Sequence, residues 1–215
     1  MSEQPEPKQS IVVGIVGGVA SGKSVVTQFF SELGGHIISA DAIAHRVLRE
    51  PDMVELIVHE FGPVILTDDT RHLSGRARVI ERKKLGGLVF GDHASERRRR
   101  LEFIVHPRIR QIARTELDDV KQQGQHAYIV LDAPLLIEGG WLAYCDKVIF
   151  IDTPDERRRH YAMERGWTES EWRQRESAQL SLDEKRRKAT DVLVNNHGLS
   201  ELQNRLFAMV NSWQR

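Results

Sequence analysis

Apolar residues along the 215-residue chain fall into two rhythms. Short unbroken runs occur at 11–16 (IVVGIV), 127–131 (AYIVL), 147–151 (KVIFI) and 192–194 (VLV). Runs of that length and character are what strands buried on both faces of a parallel sheet require. Residues 36–41 (HIISAD) read as a further short strand with the carboxylate of Asp41 at its end. Elsewhere the apolar positions recur every three or four residues. Val25, Val26, Phe29, Phe30 and Leu33 form one helical stripe, stopped by Gly34-Gly35. Pro51 opens a second helix through Met53, Val54, Ile57 and Phe61, ended by Gly62-Pro63. Residues 76–90 and 95–105 read as helices, the latter with Ser95 as N-cap, and His106-Pro107 breaks the pattern. Ile109, Ile112, Ala113, Leu117 and Val120 then line a further helix closed by Gly124. Pro154 opens a helix that runs through Glu164. Thr168-x-x-Glu171 and Ser181-x-x-Glu184 are capping boxes that start two more. Ser200-x-x-Gln203 begins the last, with Leu202, Leu206, Val210 and Trp213 on one face.

Strand, loop, helix, strand at the start makes a βαβ unit, and the whole reads as an α/β sandwich of about five strands. In such sheets ligands sit beyond the carboxyl ends of the strands. A helical stretch over 42–123 interrupts the frame, which is a natural place for a second substrate. Composition narrows the picture little: 40% hydrophobic residues is ordinary for a globular protein, and 31 basic residues balance 31 acidic ones. That balance gives no support to a nucleic-acid partner. The cluster 97–100 (RRRR) has no interleaved aromatic residues and reads as a solvated helix face. Arg157 and Arg158, and the basic run 185–188, read the same way. No apolar run is long enough for a membrane span. The single cysteine, Cys145, has no disulfide partner within the chain, reads as a small hydrophobe, and fits a reducing, cytoplasmic setting. Residues 1–10 are polar, contain Pro5 and Pro7, and read as a disordered tail.

Between the first run and the first helix lies Gly17-Gly18-Val19-Ala20-Ser21-Gly22-Lys23-Ser24, the Gly-x4-Gly-Lys-Ser spacing of a phosphate-binding loop. Glycines let backbone N–H groups curl around a polyphosphate, because a Cβ would block close approach. The following helix aims its positive end at the same anion. Gly17, Gly18, Ala20, Ser21, Gly22, Lys23, Ser24 and Val25 are the candidate nucleotide-binding residues. Lys23 can bridge the outer phosphates and the Ser24 hydroxyl can ligand Mg²⁺. Asp41 is delivered to the same rim of the sheet. Asp132, after four apolar or aromatic residues, resembles a Walker B carboxylate that orders the Mg²⁺ shell, or else caps the turn before Pro134.

These landmarks, with LEFIVHPRI at 101–109, VLDAPLLIEGG at 130–140, VIFIDTPDE at 148–156, Arg165 followed by Gln179, and ATDVLVNNHG at 189–198, resemble the dephospho-CoA kinase family. The resemblance runs from residue 11 to about 198. It implies a P-loop NTPase three-layer sandwich with a roughly five-stranded parallel sheet: a core at 11–41, 124–153 and 190–215, a helical substrate-binding insertion at about 42–123, and a helical lid at about 154–189. It implies ATP-dependent phosphorylation of the ribose 3′-hydroxyl of dephospho-CoA, with Mg²⁺ as cofactor and ATP and dephospho-CoA as the partners of a monomer or small homo-oligomer. Asp41 becomes the candidate base, with an N-cap as its bland alternative. Arg165 becomes a clamp on the β- and γ-phosphates when the lid closes. Arg82, where the family has an arginine, and His106 become substrate contacts, and Lys185 lies where the family keeps a basic residue, six after Gln179. The chain departs from the family pattern at Ser39, Val25 and Tyr161, where Asp, Thr and Arg are usual. The rivals are another small-molecule P-loop kinase, of nucleoside monophosphate or shikimate type, and a nucleotide switch. The switch reading needs an Asn-Lys-x-Asp tetrapeptide, which does not occur.

Overall fold

The computed structural model describes residues 10–73, 78–89 and 94–213. The tail expected over 1–10 lies outside this set except for Ser10, as do residues 76, 77 and 90 of the helix expected over 76–90. Among the described residues there are five strands: β1 (Ile11–Gly17), β2 (His36–Ser39), β3 (Tyr128–Asp132), β4 (Lys147–Asp152) and β5 (Asp191–Val194). They form one sheet in the order β2-β3-β1-β4-β5 with every pairing parallel. Val12, Val13 and Ile15 of β1 are almost wholly buried, which is why that run tolerates no polar residue. One core cluster joins Val13, Ile15, Val130, Ile149 and Ile151 of the sheet to Phe30 of α1 (Lys23–Glu32) and to Leu206 and Val210 of α9 (Leu199–Ser212).

The parallel register brings the carboxyl ends of the strands to one rim. Gly17 pairs with Ile151, Ser39 with Asp132, and Asp152 with Val194. The neighbours of β1 are β3 on one side and β4 on the other, so the rim beyond Gly17 is where the strand order reverses. That is the place such sheets bind ligands.

The chain divides into two units, residues 1–39 with 117–215, and residues 40–116. The first holds the sheet, α1, α9, and the helices α6 (Asp155–Glu164), α7 (Glu169–Ser177) and α8 (Leu182–Lys188). The second holds α2 (Ala40–Val47), α3 (Pro51–Phe61), α4 (Arg82–Val89) and most of α5 (Ser95–Gln123). Within it Glu50 takes two hydrogen bonds from Arg108, at 2.7 and 3.2 Å, tying the start of α3 to α5.

Several elements differ from their sequence reading. The second strand ends at Ser39, its last paired residue, and Asp41 lies instead in the first turn of α2. A carboxylate there complements the helix dipole. Helix α4 starts at Arg82 rather than 76, because Ile80 pairs with Leu66 in an antiparallel bridge that holds the preceding chain extended. Pro107 does not break α5, which runs 29 residues through it. A proline removes one backbone hydrogen bond. The buried stripe Val105, Ile109, Ala113, Leu117 and Val120 continues in register across it and keeps the helix whole. Ser95 is the first helical residue, one place past the cap, since Arg98 N–H donates to Ala94 O at 2.9 Å. Gly198, not Ser200, caps α9. Both capping boxes, Thr168 with Glu171 and Ser181 with Glu184, form as read.

Candidate active site

The chain leaves β1 at Gly17 and enters α1 at Lys23, so the glycine-rich segment is the strand-to-helix turn. Two residues take left-handed backbone: Gly22 at the N-cap of α1 (φ 97°) and Ala20 (φ 62°). The loop carbonyls are fixed from the protein side. Gly17 O accepts from Lys185 Nζ at 3.3 Å and from Lys23 Nζ at 3.4 Å. Gly18 O accepts from Lys23 Nζ at 3.0 Å, and Val19 O from Trp172 Nε1 at 3.4 Å. Ser21 O accepts from Thr153 Oγ1 at 2.8 Å and from Asn195 Nδ2 at 3.0 Å. In a trans peptide the N–H points opposite to the C=O. Fixing these carbonyls therefore turns the N–H groups of Gly18, Val19, Ala20 and Gly22 outward, as an anion cradle requires. The Val25 N–H is held by Gly22 O at 3.0 Å within the first turn of α1.

The loop is also built from beneath. Arg158 of α6 is 3% exposed, packs on the Trp172 ring and pairs with Glu176 and, at 2.7 Å, Asp155. A Cβ on Gly18 would strike its guanidinium, so Gly18 is required by what lies under the loop. Val19 and Ala20 bury themselves against Ala162 and Trp172, with Tyr161 and Trp167 alongside. Arg157 donates to Tyr161 Oη at 2.7 Å, His197 O at 2.8 Å and Asn196 O at 3.1 Å. Arg157 and Arg158 are thus structural members of the site and not a solvated face. Tyr161, standing where the family usually has arginine, orients Arg157.

Lys185 likewise leaves the solvated run to which its sequence neighbours assigned it. It is the one buried residue of α8, 3% exposed, and donates to Gln179 Oε1 at 2.6 Å as well as to the loop. Burial lowers its pKa; Glu138 and Glu176 oppose that, and Arg158 adds to it. Lys23 shares the Glu176 charge with Lys185. Burial first, then the Lys185 ammonium, pulls it down to about 8, with Asp132 and Glu176 opposing and Arg165 adding. Lys23, Lys185, Asp132, Glu176 and Arg165 therefore share one electrostatic neighbourhood. Arg165 is the exposed C-cap of α6, 5.8 Å from the Trp167 ring.

Ser24 is exposed in the first turn of α1 and Asp132 half-buried at the end of β3. A magnesium ion takes hard oxygen ligands, typically one or two from protein and the rest from phosphate and water. A hydroxyl and a carboxylate fit that donor set. They fit it better than an all-protein cage would, and no group of three His, Cys, Asp or Glu side chains suited to a metal occurs among the described residues.

In the 40–116 unit, Asp41 is exposed in the first turn of α2 and Arg82 exposed at the start of α4. A cavity of about 250 Å³ is lined there by Leu48, Leu85, Val89 and Leu101, with Arg82 and His45 as its polar members. His106 is half-buried on α5, and the cavity brings Arg82 together with His45 rather than with His106. Burial lowers the His106 pKa, against Glu102 and with Arg110.

Of the side chains that hold the loop, the sequence reading missed Arg158, Trp172, Thr153 and Asn195, and it set Lys185 in a solvated run while marking its place in the family pattern. Charge runs hide buried cations, and α8 has no apolar stripe to mark its inner face. The signal that points to Lys185 is its spacing, six residues after Gln179, with which it bonds.

A family model described as dephospho-CoA kinase matches residues 11–201. A dephospho-CoA kinase from Geobacillus kaustophilus (strain HTA426) is 38% identical over 206 residues, covering 95% of this chain and 97% of its own. Among solved structures, TT1252 from Thermus thermophilus superposes with a TM-score of 0.75 at 32% identity, over 95% of this chain and 98% of that one. The dephospho-CoA kinase from Campylobacter jejuni does so with 0.63 at 25% identity, over 95% and 97%.

Proposed function

The chain belongs to the dephospho-CoA kinase family, and we propose that it transfers the γ-phosphoryl group of ATP to the ribose 3′-hydroxyl of dephospho-CoA, giving coenzyme A and ADP. The observation that carries this reading is the loop Gly17–Ser24 with its carbonyls held from behind and Lys23, Lys185, Asp132 and Arg165 gathered in one field. Such a set binds polyphosphate and offsets the charge that develops as it is broken.

The outward amides and Lys23 hold the β- and γ-phosphates. Ser24 and Asp132 would hold magnesium, which supplies neutralisation of charge on the phosphate oxygens. Asp41 accepts the proton of the 3′-hydroxyl as its oxygen bonds to the γ-phosphorus and the bond to the β–γ bridging oxygen breaks, releasing ADP. Arg165 spreads its guanidinium over the transferring group, and helices α6 to α8 act as the lid that excludes water. Arg82 and His106 contact the acceptor.

A coupled ADP-release assay with and without dephospho-CoA tests the reading. Strict dependence on that acceptor is expected, and equal turnover of shikimate or a nucleoside monophosphate overturns it. Asp41→Asn is expected to retain ATP binding and to lose about 10²- to 10⁴-fold in transfer rate. Near-normal turnover in that variant would remove the base from Asp41.

A further inference from the structure

Two ammonium groups converge on one carbonyl. Gly17 O accepts from Lys23 Nζ at 3.4 Å and from Lys185 Nζ at 3.3 Å. Lys23 is the P-loop lysine, whose work is on phosphate, and its long 3.4 Å bond to Gly17 O is the one most readily lost when the ammonium turns to the nucleotide. A buried carbonyl left without a donor costs about 1–3 kcal/mol, a penalty that nucleotide binding would have to meet. Lys185 is placed to remove it. Its other partner, Gln179 at 2.6 Å, is a neutral acceptor that anchors the ammonium without competing for its charge.

We infer that Lys185 is a positioning residue for the phosphate-binding loop: it keeps the Gly17 carbonyl satisfied when Lys23 moves from that carbonyl to the nucleotide. The inference rests on the kinase reading only in taking the loop to bind phosphate. Three features of the site agree with it. Lys185 belongs to α8 and Lys23 to α1, so the two reach the carbonyl from different elements. Like charge between them disfavours their joint stay on one oxygen, and the short bond to Gln179 holds Lys185 at the carbonyl. The carboxylates in the shared field, Glu176 for both and Glu138 for Lys185, have their own duties. Glu176 pairs with Arg158, and Glu138 accepts from Leu180 N–H at 2.9 Å.

The test is a double-mutant cycle read by ADP affinity, measured calorimetrically on the full chain without any acceptor. Lys185→Met is expected to weaken ADP binding roughly tenfold and Lys185→Arg, which can still donate to Gly17 O, to recover most of that. In a Lys23→Met background, with no lysine left to move, Lys185→Met is expected to change affinity less than about twofold. A loss of equal size in both backgrounds shows a general structural role and overturns the proposal, as does unchanged affinity for Lys185→Met in the natural background. Thermal melting of each variant separates loss of fold from loss of affinity. If the unaltered protein failed to bind ADP, the nucleotide reading itself would fall. If it binds ADP but transfers nothing to dephospho-CoA, only the acceptor assignment falls.

Discussion

Gly18 shows how one residue is fixed from two sides. On one side the loop is proposed to admit a phosphate; on the other the Arg158 guanidinium fills the space a Cβ would need. Arg158 cannot give way cheaply, because Glu176, Asp155 and the face of Trp172 hold it. Gly18→Ala is therefore expected to cost about 1–3 kcal/mol of stability by overpacking. It should also weaken nucleotide binding several-fold, and denaturant unfolding with ADP titration would read both. Cys145 gives a second prediction at this scale. Burial, with the Asp146 carboxylate beside it, pushes its thiol up to about 12. Thiolate, the reactive form, is then scarce at pH 8. Alkylation by iodoacetamide at that pH should be slow in the folded protein and at least tenfold faster in urea. Equal rates would mean the thiol is not shielded. The turn from strand to helix was legible at Gly17, Gly22, Lys23 and Ser24, because the Gly-x4-Gly-Lys-Ser pattern fixes those four positions. The burial of Arg158 and Lys185 was not, since a cation buried by tertiary packing has the same local sequence signature as a solvated one.

Among the elements, α5 departs most from its local signals. Pro107 argues for a stop, and only the stripe of buried residues running past it argues for continuity. Packing outweighs the roughly 3 kcal/mol intrinsic penalty of an interior proline. The strands and both capping boxes were legible because burial on two faces and reciprocal capping each leave a strict local pattern. The end of β2 was not, because α2 starts at Ala40 directly after Ser39, with no glycine or proline between strand and helix to mark the change. His106, beside Pro107, carries a prediction for this helix. Its folded pKa is lowered by burial, so as pH falls below about 6.5 the unfolded chain takes up a proton before the folded one does. Its contribution to stability is complete above that pH and declines as the pH drops toward the folded value. An NMR titration of the His106 ring should give a midpoint below 6.5. A midpoint above it would mean that Glu102 outweighs burial, and would invert the dependence.

At the scale of the whole molecule, the two units carry different halves of the proposed reaction. The groups assigned to ATP, Gly17–Ser24, Lys185, Asp132 and Arg165, all belong to the unit built on the sheet; those assigned to the acceptor, Asp41, Arg82 and His106, belong to 40–116. A ligand that binds only the folded form stabilises what it touches, by about 2.7 kcal/mol at a hundred times its Kd. Each substrate alone should therefore slow amide exchange in its own unit. Saturating ADP is expected to protect the loop, α7, α8 and 195–198, the segments joined through Trp172, Lys185 and Asn195. Dephospho-CoA alone is expected to protect α2 and α4, where Asp41 and Arg82 lie and where His45 and Leu85 line the cavity. The experiment needs no turnover, so it separates binding from chemistry. If ADP protected 40–116 as strongly as the loop, the assignment of the two substrates to separate units would fail. If dephospho-CoA protected only the sheet unit, Arg82 and His106 would lose their place as acceptor contacts, while the nucleotide site would stand.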